Sequence, residues 1–175
     1  MRQPTVLHSP RLSLRELEGT DADFILELLN EPGWIRFIGD RGVTTLAAAR
    51  EYIEFGPRQS YTRFGFGLYV VERQHDQQRL GLCGLMQRHS LPEVDLGFAF
   101  LERHGGRGYA LEAANRVAAQ ARDELAREQL LAITLPHNSR SINLLGKLGM
   151  RFERELPASG DEPELHLFRM DLAAD

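Results

Sequence analysis

The chain has 175 residues, 21 Lys and Arg against 25 Asp and Glu, a formal charge of −4, and 42% hydrophobic residues. That length suits one domain over 1–175 with its own core, and the single cysteine, Cys83, excludes an intrachain disulfide. No apolar run approaches the ~20 residues that span a bilayer, the mild acidity speaks against nucleic-acid binding, and no signal-peptide core follows Arg2 and Pro4. A cytoplasmic protein that binds neither membrane nor nucleic acid is expected.

In chain order, Arg11-Leu12-Ser13-Leu14-Arg15 alternates like a half-buried strand. Thr20 and Asp23 read as caps of a helix with a stripe of Phe24, Ile25, Leu28 and Leu29, closed by Pro32. A second helix is predicted from Thr45 to about Phe55, ending at Gly56-Pro57. Three strands follow, over Phe66 to Glu72, Leu80 to Gln87 and Val94 to Leu101, with turns between them. After Gly108 the period becomes helical, with Ala110, Ala113, Ala114, Val117, Ala118, Ala121 and Leu125 on one face. A strand over Leu131 to Leu135 leads to a helix capped by Asn138 and ended by Gly149. Met150 to Glu155 and Leu165 to Leu172 close the chain as two strands. The whole is an α/β domain in which an antiparallel meander precedes a β-α-β-α segment.

The most informative stretch joins a strand to a helix through Arg103-His104-Gly105-Gly106-Arg107-Gly108. Unpaired amides of a first helical turn and the positive end of the helix dipole attract anions, and glycines let the backbone come close. Arg103 and Arg107 add charge suited to a phosphate or pyrophosphate. A tight turn with glycines for geometry alone stays open at this point. The stretch is no P-loop, because Tyr109 follows Gly108, and no dinucleotide fingerprint, because the third glycine is missing.

These six residues resemble the Gln/Arg-x-x-Gly-x-Gly/Ala motif of the GNAT family of N-acetyltransferases. The resemblance covers nearly the whole chain. Ser9-Pro10-Arg11-Leu12-Ser13-Leu14-Arg15 with Asp21 is similar to the opening of the branch that includes the ribosomal-protein alanine acetyltransferases. Leu80-Gly81-Leu82-Cys83-Gly84-Leu85, Asp95-Leu96-Gly97-Phe98, and Asn138-Ser139-Arg140-Ser141 through Lys147-Leu148-Gly149-Met150 resemble its later motifs.

The resemblance implies a mixed, mostly antiparallel sheet of about six to seven strands, flanked by helices and splayed like a V between the fourth strand (94–101) and the fifth (131–135). It implies acetyl-CoA as co-substrate and no metal. The amides of Arg103, His104, Gly105, Gly106, Arg107, Gly108, Tyr109 and Ala110 would cradle the pyrophosphate. The pantetheine arm would pair with the backbone of Phe98, Ala99, Phe100 and Leu101 as an added strand does. Asn138, Ser141 and Asn143 complete the cofactor set, with Ser141 near the sulfur. Leu145 stands where many members carry a proton-donating tyrosine, so Ser141, water and Tyr109 all remain candidates for that role. An acceptor amine must lose a proton before it attacks. Asp95, and Glu93 two residues earlier, are candidate bases, though either could instead pair with an arginine at the sheet surface; Glu72 on the neighbouring strand is a weaker candidate. A bulge is expected near Gly97, or a small residue making room for Trp34 or another aromatic. Trp34, Arg36 and Phe37 are candidate acceptor contacts, and Arg41 a further carboxylate ligand.

The leading expectation is direct acetyl transfer from acetyl-CoA to a primary amine of a small molecule or a protein N-terminus, with the thioester oxygen held by an amide near Phe98 to Phe100. A catalytically weak coenzyme A-binding or sensor module stays open because of Leu145. A third reading, ATP binding at the glycine turn, lacks a Walker lysine and a Mg²⁺ carboxylate. A homodimer is possible.

Overall fold

The computed structural model describes residues 2–172. Eight strands form one sheet in the order β1-β2-β3-β4-β5-β6-β8-β7. They are β1 (Val6–His8), β2 (Leu12–Arg15), β3 (Leu68–Arg73), β4 (Gln78–Met86), β5 (Asp95–Phe100), β6 (Gln129–Thr134), β7 (Arg151–Leu156) and β8 (Leu165–Asp171). Neighbours are antiparallel except β5 and β6, which run parallel. The mixed, mostly antiparallel sheet agrees with expectation and has one strand more than the seven in the sequence reading. That extra strand, β1, is three residues on β2, too short for alternation to reveal.

Six α-helices flank the sheet: α1 (Ala22–Leu29), α2 (Pro32–Phe37), α3 (Leu46–Ile53), α4 (Gln59–Phe64), α5 (Tyr109–Ala119) and α6 (Ser139–Leu148). Three boundaries differ from the sequence reading. The first helix is entered through Glu18 and Asp21, whose carboxylate accepts the Glu18 N–H at 2.9 Å, instead of through Thr20 and Asp23. The first helix does end before Pro32, at Leu29, but no loop follows: Pro32 opens α2 at the first position, where a missing N–H costs nothing. Gly56-Pro57 does not end α3 either. A π-helical turn over Glu54–Arg58 carries the chain on into α4, which stops at Gly65 with φ +80°.

Side-chain alternation sorts the sheet into two faces. One packs Tyr69, Val71, Cys83, Leu85 and Leu96 against the small apolar stripe of α5 and the π-helical turn after it, where Ala113, Ala114, Val117 and Ala121 are fully buried. The other is covered by two separate clusters. Leu28, Leu29, Trp34, Ala49 and Ile53 of α1 to α3 cover Val70, Leu82 and Leu101. Leu91 of the β4–β5 loop covers Leu131 and Leu167. The boundary between these clusters falls at β5 and β6, where Asp95, Gly97, Leu131 and Ile133 carry this face.

No bulge occurs at Gly97: β4 and β5 pair without a break from Gly81↔Phe100 to Met86↔Asp95. Nor does the glycine make room for an aromatic. A Cβ there would come within 2.5 Å of the Met86 methyl and 3.3 Å of Leu68, so glycine serves the Met86 side chain. The β3–β4 pairing shifts register instead at Val71/Glu72. Among the described residues, no helix is long and apolar enough to cross a membrane.

Candidate active site

The centre of the sheet contains a gap. β5 and β6 share one bridge, Asp95↔Leu131, and one nearby bond from the Leu131 N–H to the Val94 carbonyl at 3.0 Å. Beyond it the strands part. Main-chain groups alternate along a strand, so Leu96, Phe98 and Phe100 turn their N–H and C=O toward β6. Ala99 and Leu101 turn theirs to β4: Ala99 faces Leu82, and the Leu101 N–H donates to the Leu80 carbonyl at 2.9 Å. Of the four residues expected to pair with pantetheine, Phe98 and Phe100 thus offer backbone to the opening. Ala99 and Leu101 are engaged elsewhere.

At the wide end of the opening the chain turns into α5. Gly106 and Gly108 have φ of +73° and +79°, a conformation that L side chains resist. The first α-helical bond into α5 joins the Glu112 N–H to the Gly108 carbonyl at 3.0 Å. The amides of Tyr109, Ala110 and Leu111 therefore lack an acceptor within the helix and form, with the dipole, an anion-receptive end. Gly105, Gly106 and Arg107 are exposed on this loop. Arg103 is half-exposed and ion-paired to Glu27 of α1. His104 is buried, with no partner for its Nε2. Burial and the nearby Arg103, Arg73 and Arg107 hold its imidazole below the ordinary histidine range. Asn138, Ser141 and Asn143 lie at the start of α6, whose Arg140 reaches Glu102 of this loop at 3.8 Å.

Asn138 both caps α6 and holds Ser141. Its Oδ1 accepts the Ser141 N–H at 3.3 Å and its Nδ2 donates to Ser141 Oγ at 3.1 Å. A serine hydroxyl that already accepts from Asn138 keeps its own proton to donate. Leu145, where a tyrosine was sought, is buried in the core under α6. Tyr109 points elsewhere. Its hydroxyl meets the Arg73 guanidinium at 3.4 Å and its ring lies 4.5 Å beneath Arg11, on the β2–β3 flank of the sheet. Arg73 and then Arg11 hold this phenol below its usual range.

Asp95 sits at the apex, fully buried on the face of the two clusters. Arg88 Nε donates to both its oxygens at 3.1 Å. Burial pushes the carboxyl above the usual range, and Arg88 pulls against that rise. Glu93 does not share a strand face with Asp95; it lies half-buried in the loop before β5. Glu72, on β3, is held by Arg15 at 2.6 Å within a network that includes Asp21. Trp34 is buried among α1, α3 and the sheet, with its Nε1 unpartnered. Phe37 reaches the other wall of the opening, its ring 5.7 Å from that of His137, and exposed Arg36 lies 4.9 Å over Phe37. Arg41 is exposed in the loop after α2.

Arg88, Arg73 and His137 had no signal in the sequence, and Arg11 entered only as part of its motif, because each meets its partner through strand register or loop packing. Register also gathers Glu155, Glu164 and His166, whose ligand atoms lie within 4.8 Å of one another on the exposed end of the β7–β8 hairpin, outside the opening.

Residues 11–151 match the family model described as an acetyltransferase (GNAT) domain. The chain is 28% identical over 159 residues to the uncharacterized protein YkkB of Bacillus subtilis (strain 168), covering 89% of this chain and 91% of that protein. It is 25% identical over 148 residues to the uncharacterized N-acetyltransferase p20 of Bacillus licheniformis, covering 84% and 83%. Its fold matches a structure of RimL, a ribosomal L7/L12 alpha-N-protein acetyltransferase in complex with coenzyme A, at a TM-score of 0.83 and 14% identity over 98% of this chain and 100% of that one. With the domain match spanning most of its length, the chain belongs to the GNAT acetyltransferase family and is an N-acetyltransferase.

Proposed function

We propose that the protein transfers an acetyl group from acetyl-CoA directly to a primary amine of a small molecule or of a protein N-terminus. One observation carries this reading: a single bridge at Asp95, after which β5 and β6 part toward the anion-receptive start of α5. The residues fit the co-substrate, since the α5 end offers amides to a pyrophosphate and the Phe98 and Phe100 backbone is free to pair with an amide-bearing arm. Acetyl-CoA, when bound, supplies an activated thioester. Everything else falls to the chain. Asp95 takes the proton that the acceptor amine must lose, and burial makes it a stronger base than an exposed carboxylate. An N–H of Phe98 or Phe100 receives the thioester oxygen. Ser141, oriented by Asn138, donates toward the sulfur; a thiol of pKa ~8.5 needs no strong acid there. Phe37 and Arg36 border the side from which the acceptor arrives, with Trp34 buried behind them in the core.

The test is release of free thiol from acetyl-CoA in the presence of a panel of amino acids, polyamines, aminoglycosides and N-terminal peptides. Amine-dependent release that Asp95→Asn abolishes supports the reading. Coenzyme A binding by calorimetry with no turnover on any amine would identify a binding module instead.

A further inference from the structure

Arg88 lies outside every motif that resembles the family, in the loop 87–94 between β4 and β5. Its Nε is 3.1 Å from both oxygens of Asp95, and its terminal nitrogen lies 3.6 Å from the Met86 sulfur. The two ends of this pair differ in setting: the Asp95 side chain is 1% exposed and that of Arg88 38%. A buried carboxylate without a partner neutralises itself in preference to staying charged. The loop that carries Arg88 is also braced across the apex. Leu91 is buried against Leu131 and Leu167, and its N–H closes the turn onto the Arg88 carbonyl at 3.3 Å.

Among the described residues, nothing else charged competes for Asp95. The side chain opposite it on β4 is Met86 and on β6 Leu131, neither of which titrates. Glu93 makes no hydrogen bond or ion pair with it, and Arg88 supplies the single charge that acts on it. Among the described residues, Arg88 is therefore the one charged side chain that keeps this carboxylate available as an anion at the apex, helped only by the Asp95 backbone N–H.

We propose that Arg88 is a positioning residue for acetyl transfer, holding Asp95 ionised and aimed at the place where the acceptor amine loses its proton. The proposal rests on the reading of Asp95 as base. In that step an N–H bond of the ammonium breaks and its proton passes to an Asp95 oxygen. The freed nitrogen lone pair forms the bond to the acetyl carbon. The carbon–sulfur bond then breaks as the oxyanion re-forms the carbonyl; its electron pair leaves on sulfur, which takes up one proton, and the nitrogen releases its second proton to become the neutral amide. Arg88 exchanges no proton, since a guanidinium stays charged throughout.

Two measurements on the full chain test it. The first, carbon-13 NMR titration of the Asp95 carboxyl, needs no substrate. In Arg88→Gln the carboxyl should titrate higher by about one unit or more, a roughly tenfold change; in Arg88→Lys, which keeps a shorter-reaching charge, it should move up by less. The second is the pH profile of kcat/KM with the amine that turns over fastest: its acidic limb should rise by the same amount in each variant, with the high-pH plateau largely kept. An arginine that only braced the loop would lower activity at every pH and leave the limb in place. If Arg88→Gln fails to fold, Arg88→Lys decides alone. A titration unmoved in each folded variant overturns the proposal. A titration that moves while the kinetic limb does not also overturns it, by removing Asp95 from the base role while leaving N-acetyl transfer itself standing.

Discussion

At the wide end of the β5–β6 opening, the groups that face an anion are main-chain amides and arginines drawn from one continuous stretch, Arg103 to Leu111. At the apex, the facing groups are two side chains, Asp95 and Arg88, brought together by a loop pinned to another part of the sheet. The first site is made by local backbone conformation, and glycines at φ +73° and +79° are its main requirement. The second is made by burial and pairing, which no local rule specifies. A cofactor shared by a whole family can be held by backbone, which is indifferent to side-chain identity. An acceptor and its base depend on side chains.

The largest effect should come from the apex. Asp95→Asn should lower kcat by about 10² to 10⁴-fold, the range expected for loss of a general base, while acetyl-CoA affinity by calorimetry stays within about twofold. The same substitution separates a working carboxylate from a structural ion pair. Burial raises the Asp95 pKa in the folded state above its unfolded value, so the stability it contributes is present at low pH and is lost as pH rises through the folded value. Asp95→Asn should therefore keep or raise the Tm at pH 8. A fall of more than ~4 °C, over about 1 kcal/mol for a chain of this size, would mark the pair as structural support.

At the other end, Gly108→Val should weaken acetyl-CoA binding about tenfold or more, because a branched residue resists φ +79° by roughly 1–2 kcal/mol and its Cβ approaches the Arg11 guanidinium to 3.3 Å. Unchanged affinity in a folded variant would mean the turn is not the anion site. Ser141→Ala should reduce kcat by about tenfold or less, since the departing thiol needs only weak help. Asn138→Ala should match it in kcat and add the loss of a helix cap, about 1 kcal/mol in denaturant unfolding. The smallest change belongs to Arg103→Ala. Its half-exposed pair with Glu27 contributes under about 1 kcal/mol, so Tm should barely move while acetyl-CoA affinity falls a few-fold.

How legible each part was follows the same division. The strands from Leu12 to Leu101, the alanine face of α5 and the Asn138 cap were readable because each depends on residues two to four apart. Pro32 and Pro57 misled, since proline is tolerated at the first position of a new helix and within a π-helical turn, and tertiary packing chose both. Gly97 suggested a bulge, yet its cause is Met86 across the strand. Asp95 was named from its motif with an arginine pairing left open, whereas its burial and the identity of that arginine, Arg88, were invisible. Lys147, the sole lysine, lies exposed on α6.

By itself, the sequence determined the class of fold, the anion-receptive turn and the family, because hydrophobic period, glycine conformation and contiguous motifs are local properties. Only the tertiary structure decided which β5 amides face the opening, that Tyr109 turns toward Arg11 and Arg73, and that Asp95 is buried under Arg88. Those outcomes depend on strand register and on loops packed against distant strands, where small differences in burial and charge pairing settle what a side chain meets.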